Sequence, residues 1–346
     1  MKFKLLQIVS SVLVLTVVAV LILPVLRWAI FNAVFTGTSP DICIIPATGE
    51  RIHGACWPVL NDTFKLLLAG RYPVSQLWRA VAVIFLPLPF FVGLWRRWFS
   101  GRGAFLWGLV LLLSMLALMH GAEFLGLSEV ETNLWGGLAL TCVLTTFGSA
   151  VALPLSVVLA LARTSTLPVF HFLATSYIEF VRGVPLITLL FVGQFLFPLF
   201  LPAGTSSLDS LLRAQCVIVF FQAAILAEVI RGGLGVVGKG QKEACMALGL
   251  STPRTLWSVV LPQAFRVSIP PLVGTFVGLF KDTSLVSIVG LFDLLGTARN
   301  IPTIPKWVGF DLEPLAAALV LYFAVSYAIA RFGASFEFER STQRVH

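Results

Sequence analysis

Charge-free apolar runs recur along the whole chain and alternate with short polar, basic segments. They are Leu5–Leu26, Ala80–Trp95, Ala104–Gly121, Leu134–Ala162, Val184–Leu201, Ala214–Ala227, the pair Val267–Phe280 and Thr283–Phe292, and Pro314–Ala330. About 20 helical residues cross the hydrocarbon of a bilayer, and lipid-exposed backbone must satisfy its own hydrogen bonds. Counting the pair split by Lys281 and Asp282 as one interrupted crossing, the pattern predicts an all-α, polytopic transmembrane helical bundle of about eight spans. The second run is short and holds Pro87 and Pro89. Pro185 and Pro270-Pro271 are expected to break helices. The first run follows Lys2 and Lys4, exceeds a signal-peptide apolar region and precedes no small-x-small site, so it is read as a retained span.

Composition agrees: 58% of the 346 residues are hydrophobic and 12% charged, about half the charged share of a soluble domain. The mean hydropathy is +0.95. The net charge of +8 is spread in short runs between spans, which marks topology rather than a nucleic-acid surface. With the N-terminus inside, the short segment from Ala122 to Asn133 lies outside, with three glutamates and no basic residue, and both termini face the cytoplasm. The chain changes texture near Val130. Residues 1–130 form a three-span extension with a long outer loop at 31–79. Residues 131–335 form a five-span core, denser in Gly, Pro and intramembrane charge, and 336–346 form a cytoplasmic tail.

No clustered nucleophile, base or metal-ligand spacing is present, so neither a membrane enzyme nor a metal site is expected. Gly233-Leu234-Gly235-Val236-Val237-Gly238 matches a dinucleotide fingerprint, but it follows a membrane helix instead of a strand and reads as a turn. Cys43 and Cys56 share the outer loop, where a disulfide and two unpaired thiols are the alternatives. Cys142 and Cys216 read as packing residues within spans, and Cys245 is expected to face the cytosol.

The segment 240–266 is too polar to cross a membrane yet has helical form. Ala244, Ala247 and Leu248 make one small face at i, i+3, i+4. Gly249 is placed to stop that helix in a left-handed conformation. Thr252-Pro253 supplies an N-cap and a first-turn proline for a second helix, striped by Leu256, Trp257 and Val260 and ended by Pro262. The result is a cytoplasmic helix–turn–helix whose small face suits docking into a partner's groove.

Glu243-Ala244-Cys245, Gly249 and Leu261-Pro262 resemble the EAA loop of binding-protein-dependent ABC importer permeases, with Cys245 in place of the second Ala. Ile178 to Leu186, Ala227 to Gly233, Lys239-Gly240-Gln241, Leu261 to Arg266, Ile269-Pro270-Pro271 and Lys281-Asp282-Thr283-Ser284-Leu285 narrow the resemblance to the polar amino acid (His/Glu/Gln/Arg) permeases, over residues 130–335. The extension, with Gly54 to Trp57 and Gly70 to Pro73, resembles that of the larger permease subunits of general L-amino-acid importers.

This resemblance implies a non-enzymatic subunit of a bacterial inner-membrane amino-acid importer. The implied partners are ABC ATPase subunits, a second permease subunit (identical or homologous), a periplasmic amino-acid-binding protein and the bilayer, without nucleic acid. ATP would bind the partner ATPase, and this chain would carry no cofactor. Gln241, Glu243, Ala244, Ala247 and Gly249 are the ATPase-coupling candidates. Intramembrane charge is costly and usually functional, which singles out Glu179, Arg182, Glu228, Lys281 and Asp282; Arg182, Pro185, Lys281, Asp282 and Thr283 are the candidates for a pathway or gate. A fixed kink or a Lys281–Asp282 ion pair is the structural alternative, and the preferred one. The rival function is an ion-gradient-driven secondary transporter or channel for a small polar solute, which would show inverted repeats and no docking loop.

Overall fold

The computed structural model describes residues 2–45, 49–96, 98, 101–200, 202 and 208–343. Among these it is helical, with only isolated β-bridges. Among the described residues seven helices are long and apolar enough to cross a membrane, or eight if one sharply bent pair counts as a crossing. The chain divides into two compact units, Met1–Lys65 with Ala298–Leu319, and Leu66–Thr297 with Val320–His346.

The first unit begins with α1 (Lys2–Leu26), apolar around its circumference, and continues through a π-turn at Arg27–Phe31. The stretch read as the outer loop 31–79 is partly helical. It contains a 3-10 turn at Pro40–Cys43 and α2 (Pro58–Ala69), and from Val74 it belongs to a candidate span. Cys43 and Cys56 are joined by a disulfide and fully buried. Within the loop this closes, Arg51 Nη2 lies 2.6 Å from Glu313 Oε1, and its guanidinium stands 4.2 Å above the Phe310 ring. The same Glu313 oxygen accepts the Cys56 backbone N–H at 2.9 Å, so a fully buried carboxylate holds both a cation and the disulfide's backbone. Asp62 takes hydrogen bonds from Lys306 and, at 3.2 Å, from Trp307 Nε1, and these contacts hold its carboxyl below the usual range.

The second unit opens with α3 (Leu77–Phe85) and α4 (Pro87–Trp95), then α5 (Gly101–His120). Arg79, expected in the outer loop, is instead 1% exposed on α3. Its Nε donates to the Leu118 carbonyl at 2.6 Å, and Tyr72 Oη donates to the Met119 carbonyl at 2.9 Å. A cation and a phenol thus satisfy carbonyls in the last turn of α5, where a helix dipole is negative.

The core of this unit is α6 (Gly137–Arg163) packed on α9 (Ser210–Val236), with α7 (Pro168–Gly183) and α8 (Leu186–Phe191) between them in sequence. The run Val184–Leu201, expected as a crossing of its own, supplies in Leu186–Phe200 the second half of a pair bent by 102° at Val184-Pro185, and its Leu201 lies outside the described residues. Its first half, α7, carries Glu179 and Arg182 and so escaped a search for charge-free runs. Pro185 stands at the N-cap of α8, where its missing N–H costs nothing.

After α10 (Lys239–Ala247) and α11 (Thr252–Thr255), the chain stays helical through α12 (Leu261–Asp282) and a 3-10 turn to Val289. Pro270 and Pro271 lie inside α12 and do not break it, a substitution membrane helices tolerate when neighbours pack around them. α13 (Leu294–Asn300) and α14 (Leu312–Gln343) follow. The helix of α14 continues through most of the expected tail 336–346, whose last three residues lie outside the described set.

Candidate functional site

α10 owes its bounds to its sequence. Gly249 adopts φ +75°, and its N–H bonds the Met246 carbonyl at 2.9 Å while the Leu250 N–H bonds that of Cys245 at 3.0 Å. This is a Schellman stop, which a side chain at the left-handed position would strain. The second helix starts one residue earlier than expected, with Ser251 as N-cap, Thr252 and Pro253 in the first turn and no side-chain cap bond. Pro262 does not end it. A π-turn over Leu256–Val260, closed by the Leu261 N–H on the Leu256 carbonyl, passes the chain into α12 with Pro262 in its first turn. Thr252 to Val289 is therefore one helical run.

Within α10 only Cys245 is buried. Its side chain turns inward, while Gln241, Glu243, Ala244, Ala247, Leu248 and Gly249 are all exposed. Leu248 keeps 79% of its surface open, a large apolar residue beside two alanines on an unoccupied face. Gln263 Nε2 reaches Gln241 Oε1 at 3.4 Å, a weak tie between α10 and α12. α12 is seated on α9 at Gly233, where a Cβ would come within 2.1 Å of Ser268 Oγ and 2.7 Å of the Ala264 carbonyl.

Arg182 joins a charge cluster at the α10 end of the unit. Glu228 on α9 lies 3.2 Å from Arg163, 3.8 Å from Arg182 and 2.9 Å from Arg231 Nε. Arg163 also meets Glu179 at 2.6 Å. Arg163 and Arg231 were not singled out from sequence, because each closes an apolar run as an ordinary flanking cation does.

Lys281, Asp282 and Thr283 lie at the far end of α12, ~30 Å from Leu261 at 1.5 Å per residue, so they and Arg182 do not form one site. Lys281 and Asp282 are exposed, and they end α12 rather than interrupting it. Thr283 is fully buried and donates to the Phe280 carbonyl at 2.9 Å.

Sequence reading missed the nearby Asp293. It is fully buried, accepts the N–H groups of Leu295 (3.2 Å) and Gly296 (2.9 Å) at the start of α13, and takes the Tyr322 hydroxyl at 2.7 Å. The Leu294 N–H bonds Thr141 Oγ1 on α6 at 3.1 Å, which knits α6, α13 and α14 together. The available signal was an aspartate before a short apolar run, an N-cap pattern.

Residues 152–337 match the family described as the binding-protein-dependent transport system inner membrane component. The chain is 38% identical to the inner membrane amino-acid ABC transporter permease protein YhdY of Escherichia coli (strain K12), over 94% of this chain and 86% of that one. It is 35% identical to the glutamate/glutamine/aspartate/asparagine transport system permease protein BztC of Rhodobacter capsulatus, over 86% of this chain and 81% of the relative. Its fold is similar to the crystal structure of an amino acid ABC transporter with histidines, with a TM-score of 0.52 and 26% identity over 59% of this chain and 92% of that one.

Proposed function

The chain belongs to the binding-protein-dependent transport system inner membrane component family, as a multi-pass permease of an ABC amino-acid importer, and from that premise we propose that α10 is where a separate ATPase drives it. The supporting observation is the union of two features. α10 offers Glu243, Ala244, Ala247 and Leu248 to a partner while one inward residue, Cys245, seats it. The helix that follows runs unbroken to Val289. A small, nearly flat face admits close approach of another backbone, and a continuous helix carries a push at one end to the other.

In this reading Gln241, Glu243, Ala244, Ala247 and Gly249 form the coupling element, and α10 and both termini are cytoplasmic. ATP binds the partner ATPases, and this chain needs no cofactor and performs no catalysis. A second permease subunit completes the pathway. A periplasmic binding protein delivers an amino acid at the opposite face. Lys281, Asp282 and Thr283 stand at the mouth of that pathway. Arg182 and Pro185 fix the bend where α7 meets α8.

The test uses the assembled transporter in proteoliposomes. Glu243→Arg is expected to leave insertion and assembly intact and to cut ATP-dependent uptake at least tenfold. Uptake at the wild-type rate in an assembled Glu243→Arg complex would remove the docking role.

A further inference from the structure

α7 bears on the membrane in a way its neighbours do not. Its axis turns through 102° into the following helical segment at Val184-Pro185. It also stays beside the end of α6 along its length. The His171 ring lies 2.7 Å from the Arg163 carbonyl, and Glu179, two turns later, is bound by the Arg163 side chain at 2.6 Å. A helix returning alongside α6 would carry Glu179 ~12 Å beyond His171, to the limit of what an arginine and a glutamate side chain span together. One lying across the end of α6 keeps Arg163 in reach. Beyond the bend the chain climbs along α9 toward its start, where Gln194 bonds Ser210.

The surfaces of α7 match that course. Ala174, Ile178 and Val181 form the buried stripe. Phe170, Phe172, Leu173 and Phe180 are exposed by 56 to 67%. Beside this apolar edge stands the arginine cluster, with three cations against Glu179 and Glu228 and hence one positive charge in excess. The Arg182 and Arg231 side chains keep 42% and 43% of their surface open.

We propose that α7 lies in the plane of the membrane at the α10 end, its phenylalanine edge at the boundary of headgroups and acyl chains, with Arg182 and Arg231 holding the phosphate of an anionic phospholipid. The exposed aromatic edge suits the interfacial depth, where an amphipathic helix buries its apolar face beneath the headgroups. The unbalanced guanidinium charge, next to a membrane surface, is complementary to an anionic headgroup, and forked N–H donors fit a phosphate.

The experiment measures depth. Phe172 and Phe180 are eight residues apart, or ~12 Å along a helix. Phe172→Cys and Phe180→Cys, each carrying a nitroxide in the full chain with Cys142, Cys216 and Cys245 replaced by Ala, in phosphatidylcholine–phosphatidylglycerol bilayers, are expected to report the same shallow depth from oxygen and nickel-chelate accessibility. A depth difference near 12 Å, as in a crossing helix, overturns the proposal. Thermal unfolding supplies an independent arm. Replacing phosphatidylcholine by phosphatidylglycerol is expected to raise the midpoint of the unsubstituted chain, and Arg182→Gln to lose at least half of that rise. An equal rise in both proteins, or the same rise produced by inorganic phosphate in pure phosphatidylcholine, overturns the lipid assignment.

Discussion

The backbone N–H of Leu250 reaches back over Gly249 to the carbonyl of Cys245, 3.0 Å away, and this bond sets where α10 ends and the next helix turns off. Cys245 is also the one α10 residue that is buried, so the seat and the stop of the helix share a residue. The open face of α10 follows from that pairing.

Substitution at Gly249 should act through the backbone. At φ +75° an L-residue costs roughly 1–2 kcal/mol. Nothing lies within 4 Å of a Cβ there, so the strain is conformational and not steric. Gly249→Val should reduce ATP-dependent uptake, while Gly249→Asn, which tolerates the left-handed region, should retain most of it. Equal uptake by the two variants would show that the conformation is unimportant.

Gly233 supplies a packing counterpart. Gly233→Leu would force α9 from α12 at Ala264 and Ser268, where even a Cβ has no room. Overpacking of this kind costs about 1–3 kcal/mol. The expected outcome is a lower unfolding midpoint in detergent, with Gly232→Leu, whose Cβ meets open space, close to the parent.

The disulfide should carry stability in the first unit. Its cysteines are 13 residues apart, a closure worth about 3 kcal/mol in the chain-entropy account. Cys43→Ser with Cys56→Ser should lower the unfolding midpoint and increase proteolysis between residues 43 and 56. Glu313→Leu should also lower the midpoint, because it removes the carboxylate beside Arg51 and leaves the buried Cys56 N–H without its acceptor.

Acid should loosen the Asp62 contact. Its carboxyl titrates below the ordinary 3.8, chiefly through the Lys306 hydrogen bond. A depressed folded-state value adds stability that is fully present above the unfolded value and disappears as pH falls through the folded one. Asp62→Asn should therefore lower stability modestly on the neutral plateau and flatten the acid limb below about pH 4, so that the two proteins converge in acid. Identical acid limbs in the two proteins would contradict this.

The sequence made the spans legible because lipid demands uncharged length, and α10 legible because Gly249 is a strong local stop. Two features hid from it for physical reasons. α7 mixes Glu179 and Arg182 with phenylalanines, so neither a charge-free run nor a soluble amphipathic stripe marks it. Leu261-Pro262 reads as a helix end, yet proline fits a first turn as well, and a π-turn lets the chain continue. The Asp293 cluster depends on Thr141 and Tyr322, which are remote in sequence and become neighbours only after folding.

The most direct measurement labels Ala247→Cys, in a background with Cys142, Cys216 and Cys245 each replaced by Ala, with a membrane-impermeant maleimide in vesicles of known sidedness. The account predicts modification only from the cytoplasmic face, and protection once the ATPase subunits are assembled. Modification from the external face, or labelling unchanged by the ATPase, would contradict it.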